Sequence, residues 1–178
     1  MIGFELTNDN DVFAAALEKG TISVIISRVN LDTRNYVSLD FGGYDIESNA
    51  YPRWYEKNLH LGDKIIVKVK EIVENSPAII QENNQEEYFD HIPNIGIELS
   101  LKGETISAVI AKGSIHLIAT VVSNGVGNEV DLDFVAGNRT ESQEKPIKYW
   151  YRNTLQLGDE FTIEIKEIKE NTIPLETE

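Results

Sequence analysis

Asp131 and Asp133 alternate with apolar residues in Val130-Asp131-Leu132-Asp133-Phe134, and Asp40 holds the corresponding place in Val37-Ser38-Leu39-Asp40-Phe41. On an extended strand two such carboxylates project from one face about 7 Å apart, since each residue advances roughly 3.3 Å. That spacing suits a glycosidase pair or a calcium site, and it suits a solvated polar face equally well. An aromatic cluster, Tyr51-Pro52-Arg53-Trp54-Tyr55, recurs as Tyr149-Trp150-Tyr151-Arg152. Tyr and Trp beside Arg are the types enriched at binding hot spots and sugar platforms. The competing reading makes Trp54 and Trp150 plugs for the open end of a sheet's core. His60, His91 and His116 show neither HxH nor HxxxH spacing, and cysteine is absent, so a zinc site would need ligands converging from distant loops. No GxSxG elbow, phosphate-binding loop or GxGxxG run is present. These residues predict no catalytic set, no metal and no cofactor.

The elements that must position them come in two copies. Ile2-Gly3-Phe4-Glu5-Leu6 lies on Ile95-Gly96-Ile97-Glu98-Leu99, and the same offset of 93 places Lys19-Gly20 on Lys112-Gly113. From Trp54-Tyr55 and Trp150-Tyr151 onward the offset is 96, so the second copy carries three extra residues, within GNRTESQEKPIK. Insertions collect in surface loops. The match continues through Leu61-Gly62-Asp63 and Leu157-Gly158-Asp159 to Glu74-Asn75 and Glu170-Asn171. This divides the chain into a first repeat over residues 1–79, an acidic linker over 80–94, and a second repeat over 95–178. The linker holds Glu82, Glu86, Glu87 and Asp90 with no basic residue, and Tyr88, Phe89 and Ile92 are expected to dock it partly against one repeat.

Within each repeat apolar and polar residues alternate. Val37 to Phe41, Val130 to Phe134, Ile65 to Val69 and Phe161 to Ile165 all show the period of two that marks a strand with one wet face. Thr21 to Ser27 and Ser114 to Thr120 are rich in β-branched residues. Asp11 to Ala16 taken alone suits a short helix, but its partner Lys102-Gly103-Glu104-Thr105-Ile106 reads as a hairpin, so a strand is predicted in both copies. The fold class is therefore all-β: two tandem repeats of a roughly five-stranded, mostly antiparallel sandwich or barrel-like unit, with each Trp in a connection before the last strand. Leu-Gly-Asp enters that last strand through a turn, where Gly supplies positive φ and Asp bonds the backbone, which makes Asp63 and Asp159 turn residues rather than catalysts.

Sixteen Lys and Arg stand against 30 Asp and Glu, a net charge of −14. A phosphate backbone would be repelled, and the scattered basic residues form no stripe, which argues against nucleic acid. What remains is a neutral ligand, a cation or a basic protein, unless the acid serves only solubility. No apolar run approaches the roughly 18 residues that span a bilayer, and no basic stretch precedes an apolar run at the N-terminus, so no membrane association is expected. With no cysteine, the cytoplasm is the expected compartment.

The unit from Ile95-Gly96-Ile97-Glu98-Leu99 through Lys112-Gly113 to Trp150-Tyr151 and Leu157-Gly158-Asp159-Glu160-Phe161-Thr162-Ile163 resembles small bacterial proteins of the immunity type, from polymorphic toxin systems. The resemblance covers both halves. It implies a non-catalytic, cytoplasmic protein that neutralises a cognate toxin by binding it. The residues expected to meet such a partner are Glu129, Asp131, Asp133, Tyr149, Tyr151 and Arg152. A carbohydrate-binding or structural β module using the aromatic cluster is the alternative, and an enzyme using Asp131 and Asp133 the more distant one.

Overall fold

The computed structural model describes residues 1–79, 94–137 and 148–175. The residues expected to anchor the linker, Tyr88, Phe89 and Ile92, and residues 138–147 of the stretch that holds the insertion lie outside them. Among the described residues twelve strands occur: β1 (Ile2–Asn8), β2 (Asp11–Ala16), β3 (Lys19–Leu31), β4 (Arg34–Asp45), β5 (Arg53–Asn58) and β6 (Lys64–Glu71), then β7 (Ile95–Leu101), β8 (Glu104–Ala108), β9 (Gly113–Asn124), β10 (Asn128–Gly137), β11 (Lys148–Thr154) and β12 (Glu160–Glu167). The ambiguous Asp11 to Ala16 segment is a strand, and each half has six strands rather than five. The added one, β5 or β11, contains the tryptophan that the sequence places in a connection.

Two six-stranded antiparallel sheets pack face to face as a sandwich. The first sheet runs β2-β1-β6-β12-β7-β8 and the second β11-β10-β9-β3-β4-β5. Each half gives three strands to each sheet, so both sheets continue across the boundary between the repeats. In the β3–β9 ladder Ile25 faces Ile118, its own equivalent at the offset of 93. In the β6–β12 ladder Ile66 faces Thr162, its equivalent at the offset of 96. An antiparallel ladder centred on equivalent residues is a local two-fold axis. The halves are therefore related by one pseudo-two-fold that passes through both sheets.

Alternation builds the core between the sheets. Phe4, Leu6, Val67, Phe161, Ile163 and Leu99 point inward from the first sheet, and Val24, Ile26, Leu39, Leu117, Leu132 and Phe134 from the second, all essentially without exposure. Burying each such side chain contributes about 1.5–3 kcal/mol, an upper estimate against a compact unfolded chain. Gly3 and Gly96 allow the edge strands to approach closely: a Cβ there would stand 2.0 Å from the Ala15 carbonyl oxygen and 2.3 Å from that of Ala108.

The Leu-Gly-Asp turns lie on the seam between the halves. Gly62 and Gly158 have φ of 93° and 92°, and the Asp63 and Asp159 carboxylates accept the N–H of His60 and Gln156 at 2.8 and 2.9 Å. Each turn then pairs with the other half: Gly62 N–H donates to Ile165 O at 2.8 Å, and Gly158 N–H to Val69 O at 2.9 Å. The turn chemistry expected from the sequence is present in both copies, and it extends the central β6–β12 ladder.

After β6 and β12 the chain straps across the open sides of the sandwich. Ser76 N–H reaches Ala14 O and Ile79 N–H reaches Arg53 O, and Thr172 to Ser107 and Leu175 to Tyr149 repeat the pattern, at 2.7–2.8 Å. The Asn75 amide both accepts from Ala16 N–H (2.8 Å) and donates to Ala16 O (2.9 Å), as a strand residue would. Asn171 does the same to Val109. These side chains pair Ala16 at the end of β2 and Val109 just beyond β8, covering part of the edges that the two strands would otherwise present.

Candidate binding face

The outer surface of the second sheet gathers the residues singled out from the sequence. Alternation in β3 and β9 turns Thr21, Ser23, Ile25 and Ser27, and Ser114, His116, Ile118 and Thr120, away from the core. The ladder sets Ser27 directly opposite His116. The Ser27 Oγ lies 2.8 Å from His116 Nδ1, and the Ser114 Oγ 3.0 Å from Nε2. Ser114 spends its one hydroxyl proton on Gly137 O, so its oxygen accepts from Nε2–H and Nδ1 accepts the Ser27 proton. Such a contact resembles a nucleophile and its base. However, β3 is flanked by β4 and β9, so the backbone N–H groups around Ser27 are engaged in ladders and none is presented to an oxyanion. The trio fixes the imidazole on the face.

On β10, Glu129, Asp131 and Asp133 form a row, with Val130, Leu132 and Phe134 buried between them. Arg152 faces Asp133 across the β10–β11 ladder, with Nε 3.5 Å from Oδ1, and its guanidinium lies 5.2 Å from the centre of the Tyr149 ring. Thr154 Oγ1 donates to Asp131 Oδ1 at 3.1 Å. Five of the six residues expected to meet a partner thus share one surface. Tyr151 does not, because a β-bulge at Trp150 re-aims the strand: Tyr149 pairs with outward Val135, whereas Tyr151 pairs with Phe134 and packs on the core. The same irregularity at Trp54 turns Tyr55 inward, where it stacks on Phe13 at 4.2 Å. Trp54 and Trp150 are 2% and 5% exposed and lie against Phe41 and Phe134, so they plug the core and offer no platform.

The first half carries its own corner of this face. Arg53 bridges Asp40 through Nη2 (3.0 Å) and Glu56 through Nη1 (3.0 Å). Burial pushes the Asp40 carboxyl above the ordinary carboxylate range; Arg53 opposes that rise and Glu56 adds to it. Beside them Ser23, Gly42, Tyr51 and Pro52 line a cavity of about 290 Å³. Tyr51 is 78% exposed and leans on Tyr44 with ring centres 4.8 Å apart.

Charge separates this surface from its counterpart. On the outer face of the first sheet four acids, Glu5, Glu98, Glu160 and Glu164, stand among four lysines, Lys64, Lys68, Lys70 and Lys166. Lys70–Glu5 (2.6 Å), Lys166–Glu98 (3.1 Å) and Lys68–Glu160 (3.9 Å) close on one another. The face of the second sheet presents five acids, Asp40, Glu56, Glu129, Asp131 and Asp133, and four cations, with Lys19 and Arg34 at strand ends and Arg53 and Arg152 beside the acids; its β10 row of three acids faces Arg152 across the ladder. Among the described residues no group of three or more His, Asp or Glu side chains is gathered to hold a metal ion, and no helix is long and apolar enough to cross a membrane.

Compared with models of protein families, with curated proteins and with solved structures, the chain finds no match. What it does is therefore argued from this face. The Ser27–His116 contact and the Asp40–Arg53 cavity escape a reading of the sequence for one reason: each depends on which strands become neighbours, and β3 meets β9 across about 90 residues of chain.

Proposed function

We propose that this protein acts by binding, as an immunity-type inhibitor that neutralises a basic partner such as a cognate toxin in the bacterial cytoplasm, and that the outer face of the second sheet meets that partner. The observation that carries the reading is the unequal arrangement of charge on the two faces: on one, the β10 row Glu129, Asp131 and Asp133 puts three acids beside the one cation Arg152 that faces them, and on the other, acids and lysines close in matched ion pairs. Uncompensated charge of one sign draws an oppositely charged protein through solution, whereas closed ion pairs cancel their own far field. Arg152 against Tyr149, with the row Glu129, Asp131 and Asp133 beside it, offers an aromatic and guanidinium anchor rimmed by acid, the composition of a binding hot spot.

The test is association kinetics against a basic protein encoded beside this one, measured from low to high salt. The association rate should fall steeply with salt, because steering is screened beyond about 8 Å at physiological ionic strength, and the dissociation rate should change less. An association rate indifferent to salt would leave the acid a role in solubility alone and end this reading.

A further inference from the structure

We infer that the cavity between Asp40, Arg53 and Tyr51 is a socket for one lysine or arginine side chain of the basic partner. The inference rests on the proposed binding role and names the contact through which that role would gain its specificity.

Three observations lead there. The first is an acceptor left over: Asp40 gives Oδ2 to Arg53, while its Oδ1 lies over Gly42, 3.1 Å from where a Cβ of that residue would stand, and accepts no hydrogen bond among the described residues. The second is charge, since Asp40 and Glu56 share the single cation Arg53 and the corner keeps a negative excess. The third is shape. The cavity of about 290 Å³ sits at the lower limit of ligand pockets and takes a single long side chain or one small ring. Its floor is Gly42 and its wall the exposed Tyr51 ring, which would lie along the stem of a Lys or Arg and attract its charged head.

The other half shows what closes such a socket. Val135 stands where the first half has Gly42, Tyr149 where it has Arg53, and His116 where it has Ser23, although Asp133 still matches Asp40. A branched side chain replaces the floor, and Asp133 meets Arg152 from the neighbouring strand instead. A cationic ligand is preferred to a neutral sugar because the leftover groups here are an anionic oxygen and net negative charge, with no second free carboxylate to span a pair of hydroxyls.

The test uses the full chain and three probes: N-acetyl-arginine methylamide, its neutral isostere N-acetyl-citrulline methylamide, and methyl α-glucopyranoside, each titrated while the amide resonances of residues 40–43 and 51–53 are followed. The arginine probe should shift these resonances and bind at least about tenfold more tightly than the citrulline probe, the margin that one unscreened charge contact supplies. Asp40→Asn should abolish that margin. Gly42→Val, which copies the other half, should remove binding altogether, and Glu164→Gln, on the outer face of the first sheet, should leave it unchanged. Tighter binding of the glucoside, or equal binding of the arginine probe by Asp40→Asn, would overturn the socket. Because no partner protein is needed, the two readings fail separately. Arginine binding without any salt-steered partner would sink the inhibitor role alone, and an empty cavity beside a steered partner would sink the socket alone.

Discussion

The two outer faces of the sandwich differ in how far the repeats have kept to one another. On the first sheet the same ion pair is written twice, since Lys70–Glu5 and Lys166–Glu98 are equivalents. On the second sheet Asp40 and Asp133 match, but around them Ser23 faces the role of His116, Gly42 that of Val135, Arg53 that of Tyr149 and Glu56 that of Arg152. The core between the faces is duplicated almost throughout, with Phe41 and Trp54 in contact as Phe134 and Trp150 are. A packing requirement must be met in both copies. A contact with something outside the protein need be met only once, so the side chains free to differ are those on the face whose pairings the two halves do not share.

The most drastic way to break the comparison is to remove the frame that both faces share. Gly96→Val would drive a branched side chain into the Ala108 carbonyl, 2.3 Å from the first added atom; the Ile168 Cδ1 at 2.9 Å can swing aside, but the sheet backbone cannot. A loss of about 3 kcal/mol or more is expected, at the upper end for overpacking, read from urea denaturation. Stability equal to the parent's would mean that β7 and β8 are not held this closely. Gly3→Val tests the same approach in the first half and should cost as much.

The comparison is sharpened by discharging each face in turn. Replacing Glu129, Asp131 and Asp133 by Gln, Asn and Asn should slow association with a basic partner about tenfold at low salt, within the range over which charge steering acts. Replacing Glu5, Glu98 and Glu160 by Gln removes the same number of charges from the other face. That variant should slow association by no more than about threefold, because its lysines then remain unopposed on a surface turned away from the partner. Equal slowing by the two variants would show that net charge matters and the face does not. Truncating Tyr151 belongs to neither test, since its ring packs on the core and its loss would be a stability effect.

A smaller effect concerns devices that the repeats share. Asn75→Ala and Asn171→Ala each delete a side chain that pairs with both backbone groups of an edge residue, and each should cost about 1–2 kcal/mol. The two values should agree. If one exceeds the other by more than the error of the melts, the frame itself is asymmetric and the contrast between the faces loses its reference.

What the sequence made legible follows from how local each feature is. The Gly62 and Gly158 turns are fixed by four adjacent residues, and alternation in Glu129 to Phe134 alone decides that Asp131 and Asp133 face outward. The strand β5 was hidden because a bulge at Trp54 interrupts the alternation of Arg53 to Asn58, and the matching bulge at Trp150 sends Tyr151 to the opposite side from Tyr149. The pairing of halves was hidden more deeply. Alternation reports which way a side chain points and nothing of which strand lies beside it, so Ser27 against His116 and the continuity of both sheets required the ladders themselves.

The finest distinction is a difference in sign between two aspartates, one on the acidic face and one in a seam turn. Burial holds the Asp40 carboxyl above its ordinary range despite Arg53. A raised folded value means that the native state binds the proton more tightly than the unfolded chain does, so Asp40 destabilises at neutral pH and that cost is relieved as pH falls through the folded value toward the unfolded one. For Asp159 burial also pushes upward, but the Lys102 ammonium at 2.9 Å and the Gln156 N–H outweigh it and hold the carboxyl low. Its contribution is present above the unfolded value and is lost as pH falls through the folded one. Urea unfolding of the parent, Asp40→Asn and Asp159→Asn from neutral pH down to about pH 3, through the unfolded Asp value near 3.9, separates the two. The parent should gain on Asp40→Asn as the medium is acidified and should lose its lead over Asp159→Asn. The shifts will be a fraction of the frame effects, because both carboxyls retain contact with water and surface pairs are worth little. Parallel slopes in the two comparisons would mean that Asp40 is as well compensated as a turn aspartate, leaving its second oxygen no reason to seek a partner.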